Sequence, residues 1–152
     1  MWGLMDERIR ELAGASANFG FLLPHEPLLV LYGAGAEAAM FTDPSVAVFK
    51  ARQFGEVLAS DLVQRSRVRV EGDRQVDRLR ALDREGFLHG DIRQAFDYIR
   101  GVGNRAVHGN FGTANDSADQ RVALEAVQTC LAAFGDDRAV SILEELDQEL
   151  TA

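Results

Sequence analysis

At 152 residues the chain suits one domain, and 47% hydrophobic with 26% charged residues marks a core-forming globular protein rather than a disordered one. A net charge of −8 argues against a generic nucleic-acid binder, which would carry a basic excess. No apolar run approaches the roughly 18–20 residues of a membrane span, and the first residues lack a basic segment followed by an apolar one. The single Cys130 can form no internal disulfide and sits on an apolar face, which suits a reducing cytoplasm. No His/Cys cluster has zinc-ligand spacing, so no metal is expected.

In chain order, a first helix is predicted from about Asp6 to Ala15, followed by a turn-rich connector, Asn18 to Pro27, with aromatic anchors. An apolar helix from Leu28 to Phe41 comes next. Its Gly33-x-Gly35-x-x-Ala38 run imitates a dinucleotide-binding turn, but that fingerprint needs a parallel sheet and a second strand, and no second strand is visible. The two glycines are read instead as allowing close helix–helix approach, and no cofactor is expected. Asp43-Pro44 is a strong helix start: Asp43 can cap, and Pro44 loses nothing at the first helical position.

From Pro44 onward, Ala47, Ala51, Phe54, Leu58 and Leu62 line one helix face at spacings of three and four. Arg65, Arg67 and Arg69 follow as a solvated helix end or a basic patch. Val76, Leu79 and Leu82 mark a short helix stopping at Gly86; Ile92, Ala95, Phe96 and Ile99 mark another that Gly101 is placed to end or loosen. Ser117 and Gln120 have capping-box spacing, and Leu124, Val127, Leu131 and Phe134 supply the stripe of the helix they open, which Gly135 ends. Val140, Leu143, Leu146 and Leu150 run along a last helix whose pattern is still going at the C-terminus, which suggests either a coiled segment or a chain that continues into more domains. The total is an all-α bundle of six to seven helices with short connections.

Tyr98 to Gly109 gathers two arginines, an asparagine and a histidine around glycines, with the glycine- and asparagine-rich Asn110–Asp116 directly behind. If the helix continues through Gly101 and Gly103, then Arg100, Asn104 and His108 share one face. An imidazole with an ordinary pKa of about 6.5 could serve as acid or base there, and Arg100 or Arg105 could neutralise a phosphorane. The other reading is structural: a polar group of Asn104, Arg52, Glu56, Glu37 and Asp43 fastens this segment to its neighbours. His25 and His89 are read as loop and helix-start residues.

Asn18-Phe-x-Phe-Leu, Ala36-Glu37, Asp43-Pro44, Lys50-Ala-Arg52-Gln-Phe-Gly-Glu56 and Ile99-Arg100-x-x-Gly103-Asn104-x-Ala106-x-His108 together resemble a helical domain of unknown function. That domain stands at the N-terminus of type I restriction enzyme R subunits and related DEAD/DEAH helicases, and is similar to the HEPN class common in prokaryotic defence. The resemblance implies a HEPN-like domain over 18–135, with 1–17 as an N-terminal helix or extension and 136–152 as a C-terminal helix. Active HEPN members are metal-independent ribonucleases, assembled across a homodimer, that pair an arginine with a following histidine. Here His108 matches the histidine, but Arg100 lies eight residues before it and Arg105 three, outside the active spacing. Neither a G-x-x-x-x-G-K-[ST] loop nor a metal-nuclease motif is present.

The resemblance therefore implies a non-catalytic binding and assembly module of a bacterial phage-defence system. Its expected partners are the other subunits or domains of a restriction–helicase complex, and nucleic acid through the Arg100–His108 face. The alternative is a dimeric, metal-independent ribonuclease using His108 with Arg100 or Arg105. A third reading is a small nucleotide-binding or antitoxin-like protein of the same fold.

Overall fold

The computed structural model describes residues 2–40, 42–88, 90–107, 117–135, 142 and 144. Among these residues there are six α-helices and no strand: α1 (Trp2–Ala15), α2 (Pro27–Ala39), α3 (Pro44–Ser66), α4 (Gln75–Arg84), α5 (Gly90–Val107) and α6 (Ser117–Phe134). A 3₁₀ turn, Gly20–Leu22, links the first two helices. The all-α expectation holds.

The helix starts follow local chemistry. Glu26 caps α2, its carboxylate accepting from Leu28 N at 3.2 Å with Pro27 in the first turn. Asp43 caps α3 as its sequence predicted, its Oδ1 accepting from Val46 N at 3.3 Å ahead of Pro44. Gly86 takes a positive φ of 79° after α4, and Phe87 N returns to Leu82 O at 2.9 Å. This is the left-handed stop that glycine makes cheaply.

Helix α3 is the central element: α2, α4, α5 and α6 all pack against it. The predicted stripe of Ala47, Ala51, Phe54, Leu58 and Leu62 is buried. A chain of rings crosses the core, from Phe19 to Phe54 (centroids 5.2 Å apart), Phe54 to Phe134 (5.8 Å) and Phe134 to Phe96 (4.8 Å). It joins the connector after α1 to α3, α6 and α5, and tilted ring pairs of this kind stabilise beyond their burial. Ile9 and Leu12 of α1 lie in the same buried cluster, as does Cys130 of α6.

Gly33 and Gly35 sit inside α2, as read, where side chains leave little room. A Cβ at Gly33 would meet the Phe19 ring at 2.8 Å and Phe54 at 3.0 Å.

The largest boundary difference from the sequence reading is at the start of the chain. Helix α1 begins at Trp2 rather than Asp6, since nothing between them except Gly3 opposes a helix. Of the two readings of α5, ended at Gly101 or continued past it, the second holds: the helix runs through Gly101 and Gly103 to Val107. Burial of Val102 and Gly103 against neighbouring helices outweighs the roughly 1 kcal/mol that each interior glycine costs. His89, His108, the Asn110–Asp116 segment and the final stripe of Val140, Leu143, Leu146 and Leu150 lie outside the described residues; Ile142 is described and packs on the main core.

Candidate functional site

Helices α3 and α5 cross closely because glycines face the crossing. A Cβ at Gly55 would lie 2.8 Å from Ile99 Cδ1, and one at Gly103 would lie 2.5 Å from Arg52 Cβ. The approach lays the aliphatic stem of Arg52 directly on the α5 backbone. One helical turn on, Glu56 Oε1 meets Arg52 Nη2 at 3.1 Å, with the two side chains 24% and 33% exposed. On α5, Arg100 and Asn104 stand one turn apart and face the same space.

That space is a pocket of about 390 Å³. Arg52, Glu56, Arg100 and Asn104 form one wall. The opposite wall comes from the α3–α4 loop and the first turns of α4: Asp73, Arg74, Gln75, Val76 and Arg78. These residues are fastened to one another. Gln75 Nε2 donates to Gly55 O at 3.1 Å, tying α4 to α3. Arg78 Nε donates to Gln75 Oε1 at 3.2 Å, and its Nη1 donates to Asp73 O at 3.0 Å. Arg74 N donates to Asp77 Oδ2 at 3.1 Å, closing the turn that opens α4.

The electrostatics of the pocket run against those of the chain. Four guanidiniums line it against two carboxylates, while the whole sequence carries −8. Arg52 Nε and Arg100 Nε are buried without a hydrogen-bond partner among the described residues. A buried unsatisfied donor costs roughly 1–3 kcal/mol, so native proteins seldom keep one without a use.

The structure thus brings Arg52, Glu56, Arg100 and Asn104 together and places the other sequence candidates elsewhere. Glu37 accepts from Ser16 Oγ at 2.7 Å and from Asn18 Nδ2, so it tethers the α1–α2 connector to α2. Asp43 caps α3. Arg105 is exposed and lies in the field of Tyr98, whose hydroxyl donates to Glu125 Oε2 at 3.4 Å. Burial, and then the Glu125 carboxylate, push that phenol above its ordinary pKa. His108 lies outside the described residues. Sequence reasoning missed Arg74, Gln75 and Arg78; the four-residue spacing of the two arginines was the available signal.

Elsewhere the chemistry is quiet. Cys130 is fully buried, and burial pushes its thiol up to about 12. Among the described residues no group of His, Cys, Asp and Glu side chains is arranged to hold a metal ion, and no helix is long and apolar enough to cross a membrane.

Fold and pocket together define a helical-bundle domain with a polar recess at the crossing of its central helices. The chain belongs to the family described as a domain of unknown function, DUF4145, whose match covers residues 34–152. It is also similar to the type I restriction enzyme EcoKI endonuclease subunit of Escherichia coli (strain K12), with 31% identity over 101 residues. That stretch is 66% of this chain and 8% of the relative, so the chain spans under a tenth of that relative's length. No solved structure matches the chain.

Proposed function

We propose that this protein is a non-catalytic, HEPN-like binding and assembly module of a bacterial restriction-type defence system. Its partners are the other subunits or domains of that system. The observation that carries the reading is the similarity to a stretch of a restriction endonuclease subunit, joined to a recess lined by Arg52 and Arg100, whose buried Nε atoms have no hydrogen-bond partner among the described residues.

The arginine arrangement favours binding over cleavage. Arg100 faces the recess together with Arg52, whereas Arg105 is exposed beside Tyr98, so the two arginines of α5 occupy different environments. Co-expression with the methylation and specificity subunits of a type I restriction system tests the reading, with co-elution in size-exclusion chromatography as the expected result. Elution alone, with cleavage of labelled RNA in EDTA that His108→Ala abolishes, would establish the ribonuclease instead.

A further inference from the structure

We infer that the recess between α3, α5 and the start of α4 is a binding site for a compact phosphorylated small molecule, carried by Arg52, Arg100, Asn104 and Arg78. The inference rests on the reading of this domain as a binding module and names the ligand chemistry its recess would take.

Three observations converge. The first is charge: four arginines against two carboxylates concentrate positive potential in one recess of an otherwise acidic chain. Guanidiniums stay protonated at every physiological pH and present planar forks that match phosphate oxygens. The first turn of α4 also borders the recess, and the positive end of its helix dipole adds to the field.

The second is unspent donor capacity. Arg100 and Arg52 each keep a buried Nε with no partner among the described residues, and the Asn104 amide lines the same recess. Glu56 occupies only Nη2 of Arg52. Arg78, in contrast, is held at two points by Gln75 and Asp73, which fixes its head at the rim. Some donors are fixed in place and others are waiting, as expected of a site completed by its ligand.

The third is size. About 390 Å³ lies at the lower end of the roughly 300–1,000 Å³ typical of small-molecule sites. It admits a phosphate or diphosphate with one attached group. A polynucleotide strand would need an extended basic track, and the surrounding net charge of −8 repels one.

Titration of the full chain with inorganic pyrophosphate and with ADP, by calorimetry and thermal melts at low salt, tests the site. Saturation is expected to raise the melting temperature by about 5 °C or more at a hundredfold excess over Kd. Arg100→Gln should weaken affinity at least about tenfold, the usual effect of losing a charge-assisted hydrogen bond. Asn104→Asp, which keeps the side-chain shape and adds a negative charge, should weaken it at least as much. Arg10→Gln makes the same charge change on an exposed face of α1 and should leave affinity within about twofold.

Binding of pyrophosphate alone, or of ADP more tightly, supports the site and tells whether the attached group contributes. Absence of binding, equal weakening by Arg10→Gln, or tighter binding of a hydroxyl-ended oligonucleotide than of either probe would overturn it. Subunit co-elution with no anion response sinks only this inference, whereas RNA cleavage lost in His108→Ala sinks the binding-module reading itself.

Discussion

Gly103 of α5 rests on the side chain of Arg52 of α3 so closely that a Cβ there would lie 2.5 Å from Arg52 Cβ and 2.6 Å from its Cδ. The contact sets both the spacing of the two central helices and the direction in which the Arg52 guanidinium leaves α3. Nearby Gly101, on the same helix, has nothing within 4 Å of where its Cβ would stand. The pair makes a matched experiment. Gly101→Ala should raise stability by about 0.5–1 kcal/mol, the propensity gain of alanine in an exposed helix interior. Gly103→Ala gains the same propensity but must force α5 away from Arg52, and overpacking costs about 1–3 kcal/mol. Urea denaturation should therefore give shifts of opposite sign. A stabilised Gly103→Ala variant would refute the close crossing.

The ring chain makes a second expectation. Phe54 is fully buried and touches both Phe19 and Phe134. Phe54→Ala removes the central ring and leaves a cavity that four packed neighbours of α3 cannot close, so a loss of about 3–5 kcal/mol is expected. Much of a domain's total stability is of that order. The variant should show a cooperative melt far below the parent, or none.

Glu37 is charged and half-buried, yet its role here is to hold the chain together. It accepts from Ser16 and Asn18, and Ser16 Oγ in turn accepts from Phe19 N at 3.1 Å. The carboxylate thus anchors the connector that delivers the Phe19 ring to the core. Glu37→Ala should cost about 1–3 kcal/mol while leaving anion binding in the α3–α5 recess unchanged. Glu37→Gln replaces one acceptor with a donor facing a donor, so it should rescue little. A Glu37→Ala chain as stable as the parent would remove the tether.

These contrasts show what the sequence could and could not convey. Helix faces were legible because the buried residues of α3 recur every three or four positions, and caps were legible because Asp43-Pro44 acts locally. The extent of α5 was not, since Gly101 and Gly103 look like a stop until the packing of Gly103 on another helix is known. The recess was half legible. Arg100 with Asn104, and Arg52 with Glu56, follow one-turn spacing within their own helices. That Arg74, Gln75 and Arg78 complete it depends on how α4 folds back through the Gln75–Gly55 bond. Spacing along one helix carries no information of that kind. For the same reason Glu37 grouped with Arg52 on paper, while in the fold it belongs to Ser16 and Asn18.

Cys130 offers a chemical check on core integrity. Its thiol is pushed from 9.0 up to about 12 by burial alone. Because the raised value belongs to the folded state, the thiol contributes fully to stability below the unfolded pKa of about 9 and progressively loses that contribution as pH rises toward 12. Stability should therefore decline with pH across that alkaline window, and less so in Cys130→Ala after correction for its own cavity. At pH 8 the native thiol should resist alkylating reagents that modify it fully in urea. Rapid labelling of the native protein would show that α6 does not seal the core.

The last expectation sets stability against binding at one residue. Arg100 places a charged head in a half-buried recess, and its Nε is buried with no partner among the described residues. Removing an unsatisfied donor while keeping the packing of the stem relieves a desolvation penalty, and Met preserves most of the aliphatic length. Arg100→Met should thus be as stable as the parent or more stable by up to about 1 kcal/mol in the absence of anions. The same substitution should abolish the thermal shift produced by pyrophosphate. A purely structural arginine predicts the reverse pattern, a large loss of stability with no ligand response to lose in either protein. Melting curves of parent and variant, each with and without pyrophosphate, separate the two, because a residue kept for a ligand is a burden to the empty fold.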